Sequence, residues 1–343
     1  MRIGENISKE QVILNSDCSH RVIIPLHIPN EEGYYKQAFE IFEISINSLI
    51  STSAYKSKIT VISDACCEFV NSRLHKLFME NKIDELILEN HNIGKINSIL
   101  KSLRTVSETF VTISDADVLF LDNWDEEVLT IFKKFPKAAV VSPTPVFRNH
   151  MNYTANIWID NLFSKKLRFR EVKNPEALER FAQSLGWYSL ENRFKDVIAT
   201  LESGDKSTIA IVGATHFVAT YKTAFLKNIP KENSKFKLGG TSEGLYLDQP
   251  PFKSDGYRLT TYDNFAYHMG NHLESWLSDV FKNLNEIEIK KDINIRVQKN
   301  TGKNIIKKLT EKIFLKFISR RSNYNYILIK KGLTKEQLKT FWY

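Results

Sequence analysis

The stretch Phe110-Val111-Thr112-Ile113-Ser114-Asp115-Ala116-Asp117-Val118-Leu119-Phe120 decides how this chain is read. A run of aromatic and β-branched residues stops at two carboxylates separated by one alanine, and apolar residues then resume. The run predicts a buried strand with Asp115 and Asp117 where it leaves the sheet. Residues two apart in an extended chain point the same way, so both acids can face one pocket. Two carboxylates there repel and resist burial unless a cation holds them. A solvated strand-end turn is the other reading, since Asp is common in turns.

Upstream, Arg21–Pro29 reads as a strand that breaks at its prolines, followed by a polar turn at Asn30–Gly33. Ala38, Phe42, Ile46 and Leu49 recur at helical spacing. A second strand spans Lys58–Ser63 and ends at Asp64, and a helix is predicted over Glu68–Met79 with Val70, Leu74, Leu77 and Phe78 inward. A short strand at Leu86–Leu88, a loop ending in Gly94-Lys95 and a helix over Ile96–Leu103 complete the approach to Phe110. Alternating strands and helices with short connections predict an α/β fold around a mostly parallel sheet. Such sheets bind ligands beyond the carboxyl ends of their strands, where the 25–30 loop, Asp64, Asp115 and Asp117 all fall.

Downstream, Asp125 is placed to cap a helix that ends before Pro136, and Ala138–Ser142 reads as a strand. Asn149–Lys206 is aromatic-rich and poorly periodic, and is expected to be a mainly helical insertion. Ile209–Thr220 reads as strand, with His216 on it as a structural residue. A Gly-rich loop follows at Leu238–Gly244, then Asp248, a strand at Tyr257–Thr261 and Tyr267-His268-Met269-Gly270-Asn271.

The 343 residues suffice for a sizeable core. Three cysteines without a CxxC spacing argue against a disulfide framework and fit a reducing cytoplasm. The opening MRIGENISKEQ lacks the apolar core of a secretory signal. The net charge is +8, and it is unevenly placed. From Asn271 onward 16 Lys and Arg face 7 Asp and Glu, whereas the residues before carry 32 against 33. A basic tail on a neutral domain points away from a general nucleic-acid binder. Residues 1–270 are therefore expected to form the main domain, divided near residue 145, and 271–343 a basic helical extension. Within the extension, Ile305, Ile306, Leu309, Ile313, Phe314, Phe317 and Ile318 lie on one helical side among lysines. Such a helix suits either an anionic membrane surface or packing against the domain.

In sequence order these motifs resemble the family-2 glycosyltransferases of the GT-A fold, from Val22 to Asn271 apart from the middle insertion. The resemblance implies a Rossmann-like mixed sheet flanked by helices and a sugar transferred from a nucleoside-diphosphate donor, UDP-linked by expectation. The acceptor would be a saccharide or a lipid-linked saccharide, in bacterial surface polysaccharide or glycoconjugate synthesis. By the same resemblance Pro25, His27 and Asp64 would hold base and ribose, and Lys95 the phosphates. Asp117, with Asp115 and His268, would bind Mn2+ or Mg2+, Asp115 lying toward the ribose. An inverting transfer needs a carboxylate base. The family's acidic doublet is missing here, which leaves Asp248, the preferred choice, or Glu243. A catalytically silent saccharide-binding scaffold of the same fold is the alternative of a different class. A phosphohydrolase using the Asp-x-Asp fits less well, because three strand-like segments precede the motif.

Overall fold

The computed structural model describes residues 18–290, 293, 295 and 302–341. Its centre is a ten-stranded sheet in the order β3-β2-β1-β4-β10-β6-β11-β9-β8-β7. The strands are β1 (His20–Leu26), β2 (Lys58–Asp64), β3 (Glu85–Glu89), β4 (Phe110–Ser114), β5 (Val118–Phe120), β6 (Ala138–Ser142), β7 (Leu167–Glu171), β8 (Val197–Glu202), β9 (Ile209–Val212), β10 (Val218–Lys222), β11 (Tyr257–Thr261) and β12 (Ala266–His268). Strands β1 to β4, β6, β8 and β11 run one way, and β7, β9 and β10 run against them. The mostly parallel α/β sheet expected from the alternating pattern is present.

Side-chain alternation makes the sheet two-faced. On β1, Val22 and Ile24 join one apolar cluster, while Ile23 joins the cluster on the other face. The first face receives α1 (Ala38–Thr52) through Phe42, Ile46 and Leu49, and α2 (Glu68–Met79) through Val70 and Leu74. Phe78, expected inward on α2, is 38% exposed. It sits one position past the Val70-Leu74-Leu77 stripe, about 100° around the helix. The second face receives α3 (Lys95–Leu103) through Ile96 and Ile99.

Asp125 serves differently from the expected cap. The residue preceding α4 (Trp124–Lys134) is Asn123, and Asp125 lies inside the helix. Its buried carboxylate accepts the backbone N–H groups of Ala54 (2.8 Å) and Tyr55 (2.9 Å), tying α4 to the chain after α1. Burial still raises its pKa to about 6.

The middle segment, expected as mainly helical, holds α5 (Ala155–Asp160), α6 (Pro175–Ser184) and α7 (Asn192–Asp196) but also β7 and β8. Those two strands extend the sheet beyond β9. β7 alternates, with Leu167 and Phe169 buried between Arg168 and Arg170, but the alternation spans only five residues of a poorly periodic stretch; the long arginine stems suit an edge strand. After α8 (Gln249–Lys253) and α9 (Ser275–Lys282), the tail forms α10 (Ile305–Ile318), α11 (Arg321–Lys330) and α12 (Lys335–Thr340). Phe314, Ile327, Leu328 and Leu333 of this tail join the same apolar cluster as Phe169 and Trp158. The Phe169 N–H also donates to the Lys331 carbonyl (2.7 Å).

One break departs from the expected strand over Ile209–Thr220. Gly213 interrupts it with φ +112°, so β9 pairs with β11 and β8 while β10 inserts between β4 and β6. A Cβ on Gly213 would lie 2.8 Å from the Asn149 carbonyl oxygen. Gly213→Ala is expected to lower the unfolding free energy by about 2 kcal/mol through clash and backbone strain. A shift of the urea midpoint at unchanged slope measures it.

Candidate active site

Parallel strands bring their carboxyl ends to one edge, and the candidate residues collect there. A cavity of about 280 Å3 is lined by Pro25, His27, Asp64, Lys95, Asp115 and Asp117. These six come from four separate segments of chain. Their convergence is produced by the β2-β1-β4 order of the sheet.

At one end the wall is apolar and aromatic, with Ile28 and Tyr35 beside His27. The rings of His27 and Tyr35 meet edge to face at 6.1 Å, and the Asn92 side-chain amide lies 3.1 Å from the His27 ring. Asp64 is buried. Its two oxygens accept the backbone N–H groups of Ile93 (2.7 Å) and Gly94 (2.9 Å). The carboxylate thus fixes the loop that delivers Lys95. Gly94 has φ +88°, and a Cβ there would fall 2.5 Å from the Lys237 backbone. The Lys95 N–H donates to the Lys237 carbonyl (2.9 Å), and Asn97 exchanges two hydrogen bonds with the Ser234 backbone. The segment running into the Gly-rich loop is therefore clamped against the start of α3, with Lys237 and Leu238 in the cavity wall.

The acidic end arises from a second break. The chain leaves β4 at Ser114 and re-forms as β5, which pairs with β12 in a separate two-stranded ladder. Asp115 and Asp117 occupy the crossing. The ladder sets His268 opposite Val118, and the Met269 N–H donates to the Asp117 carbonyl (2.7 Å). His268 Nε2 then lies 3.4 Å from Asp117 Oδ2. Lys95 forms an ion pair with Asp115. One ligand atom from each of Asp115, Asp117 and His268 lies within 4.8 Å of the others.

Charge at this end does not balance. Burial lifts the pKa of Asp117; the His268 imidazole pulls it down and Asp115 pushes it further up. Burial alone would depress Lys95, but Asp115, Glu243 and Asp117 outweigh it and leave its pKa above the usual lysine value. Three carboxylates thus surround one ammonium. Two carboxylates and an imidazole converging on one point fit a divalent cation, with the imidazole favouring Mn2+ over Mg2+.

The base candidates are differently placed. Asp248 is 1% exposed, at the end of a single π-turn, Gly244–Asp248. Its Oδ1 pairs with Arg258 Nη2 at 2.5 Å, and its Oδ2 lies 3.2 Å from His216 Nδ1. Arg258 is fully buried and also donates to the carbonyls of Asn152 (2.7 Å) and Ala214 (3.0 Å). Breaking such a pair typically costs about 3–5 kcal/mol. Glu243 is half-buried, accepts the Ser242 hydroxyl (3.1 Å) and acts on Lys95 across the cavity rim. Of the aromatic residues, Trp124 belongs to the core and donates from Nε1 to Ser53 Oγ, while Trp187 packs on Phe147. Tyr188 is 98% exposed. His216, read from sequence as structural, stands in the turn between β9 and β10 and is 43% exposed. The glycine inside its apolar run was the available signal, since an isolated Gly in a strand pattern marks a break.

No protein-family model matches the chain, and no curated protein matches it in sequence. In structure it is similar to residues 1–349 of S. aureus TarS in complex with UDP, at 12% identity and a TM-score of 0.42, over 94% of this chain and 78% of that one. It is also similar to the mannosyltransferase PcManGT from Pyrobaculum calidifontis in complex with GDP-Man and Mn2+, at 16% identity and 0.39, over 73% and 55%. Against a longer form of TarS the values are 13% and 0.41, over 73% of this chain and 36% of that one, so the chain spans about a third of its length. At these values the functional reading rests on the residues themselves.

Asp117→Asn and His268→Ala are each expected to weaken Mn2+ binding ten-fold or more, because each removes a ligand from a three-residue set. Electron paramagnetic resonance of free Mn2+ during titration measures the loss.

Proposed function

We propose that this chain is a metal-dependent glycosyltransferase of the GT-A type, which moves a sugar from a nucleoside diphosphate, UDP-linked in the first instance, to a saccharide or lipid-linked acceptor. The carrying observation is that one cavity joins an apolar, aromatic slot to Lys95, Asp115 and Asp117, and that His268 meets those two acids behind the wall. A nucleoside diphosphate has the matching division, with an uncharged base at one end and two phosphates at the other. Ile28, Tyr35 and His27 enclose the base. Asp64 keeps lone pairs beyond its two backbone bonds, so it can also accept a base N–H or a ribose hydroxyl. Asp115 lies toward the ribose.

Asp117 and His268 would hold the metal, with Asp115 beside them. When bound, a divalent cation offsets the charge that develops as the diphosphate departs. Lys95 supplies a fixed positive charge on the same side. An inverting transfer needs a proton acceptor; Glu243 is half-buried, whereas Asp248, the sequence's preferred base, is buried with both oxygens engaged by Arg258 and His216. The Mn2+-dependent release of UDP from a panel of UDP-sugars tests the reading. Asp117→Asn is expected to lower the rate at least 100-fold. Metal-independent release, or full activity in the variant, contradicts it. A silent scaffold of the same fold would bind a saccharide with no response to Mn2+.

The tail supports an acceptor at a membrane surface. Helix α10 is tied to the domain by Lys307–Asp255 (2.6 Å) and by Lys303, which pairs with Glu311 within the tail and lies 3.2 Å over the Phe252 ring, with Phe314 buried beneath. Its outward side carries Ile305, Ile306, Leu309 and Ile313, between 57% and 84% exposed. Lys308, Lys312 and Lys316 run beside them at four-residue spacing, exposed. An apolar stripe flanked by a lysine row matches an anionic lipid surface. Among the described residues no helix is long and apolar enough to cross a membrane. Co-sedimentation with phosphatidylglycerol vesicles is expected, with phosphatidylcholine vesicles giving little, and the double change Leu309→Glu, Ile313→Glu should reduce it ten-fold. Equal binding to both lipids, or a self-associated species that the double change dissociates, overturns membrane docking.

A further inference from the structure

Asp248 and His216 form a pair that the nucleotide side of the site does not use. The carboxylate cannot reach a substrate directly, since it is 1% exposed and both oxygens are engaged. The His216 side chain, which contacts it, is 43% exposed. With Nδ1 at 3.2 Å from Asp248 Oδ2, the hydrogen bond requires a proton on Nδ1, because an ionised carboxylate only accepts. The lone pair of neutral His216 is then on Nε2, at the far edge of the ring. Asp248 is already balanced by Arg258, which is fully buried and fixed by two carbonyls, so His216 is not needed there as a counter-charge. A buried carboxylate that orients an exposed imidazole is a recurring way to prepare a proton acceptor.

The pair adjoins the acidic cluster. The carbonyl of Phe217, the next residue, accepts the Asp115 N–H at 2.6 Å, and the Phe217 ring lies 5.2 Å from that of His268. Tyr221 on β10 is fully buried, and its hydroxyl is pushed up in pKa by burial and by Asp248 and Asp115, against Arg258. The His216 dyad and the acid cluster therefore flank the same strand end, β10.

We propose that His216 receives the proton of the acceptor hydroxyl during transfer, with Asp248 as its positioning residue and Arg258 fixing Asp248. This rests on the transferase reading. The acceptor O–H proton passes to His216 Nε2 as its oxygen bonds to the anomeric carbon. The bond from that carbon to the phosphate oxygen breaks, and its electron pair leaves with the nucleoside diphosphate. His216 then returns the proton to solvent.

Two measurements on the full chain test the assignment. In the first, water serves as acceptor and UDP release from UDP-sugars is followed with Mn2+ present. His216→Ala is expected to lower kcat 100-fold or more while donor KM and calorimetric UDP–Mn2+ binding stay within about three-fold, and added imidazole should restore part of the rate. A variant that keeps more than a tenth of wild-type kcat overturns the proposal. In the second, long-range 1H–15N correlation reads the His216 ring in the wild-type protein, independently of turnover. The Nδ1–H form is expected, with Nε2–H appearing in Asp248→Asn; a wild-type ring in the Nε2–H form overturns the dyad even if no donor is hydrolysed. Should the wild-type chain bind neither UDP nor Mn2+, the transferase reading itself fails, whereas binding with a silent His216→Ala removes only the present assignment.

Discussion

Two carboxylates held at a half-buried strand end need positive charge beside them, and much of the local architecture supplies it. Asp64 fixes the backbone at Ile93 and Gly94, that loop sets Lys95, and Lys95 pairs with Asp115. Gly94 allows the Lys237 segment to close over the same point. Asp117 faces the His268 imidazole and feels Lys95 at longer range, yet burial still raises its pKa. The site is organised yet short of positive charge, the condition in which a hard cation binds with most gain.

A second charged pair works by the opposite logic. Asp248 and Arg258 are both buried and matched, and the two terminal nitrogens of Arg258 also donate to two backbone carbonyls. Such a pair contributes little net stability compared with apolar replacements, but it fixes geometry, because either partner alone would be an uncompensated charge. What it fixes is the π-turn before α8 and, through it, the orientation of His216. The first charge group lines the cavity at the strand ends, and the second lies beside the start of β10.

Legibility varied with the range of the interaction. The strands from β1 to β4 and the helices between them follow local periodicity, and α2 begins and ends where its apolar spacing predicts. Asp64, Asp115 and Asp117 were readable because strand ends in a parallel sheet share one edge. The middle segment was not, because β7 is a five-residue strand in an aromatic-rich stretch and its partner β8 lies beyond two intervening helices, so the pairing is not a property of neighbouring residues. Asp125 looked like a helix cap by its neighbours in sequence, yet its partners at Ala54 and Tyr55 lie about 70 residues away. The outward apolar stripe of α10 was visible as periodicity, but which side of the helix faced the domain depended on Asp255 and the core around Phe314.

From its sequence alone the chain determines an α/β sheet, a pair of acids at the end of its fourth strand and a basic tail, since hydrophobic period, strand-end position and charge count are properties of neighbouring residues. Only the tertiary structure decided that His268 reaches Asp117, through the β5–β12 ladder, and that Asp248 lies behind His216 rather than open to solvent. Both follow from contacts between segments far apart in the chain, where pairing register and burial, not local propensity, set which polar groups meet. The short break at Gly213 joins the two levels: one residue ends a strand, and the fold turns that ending into the position of an imidazole.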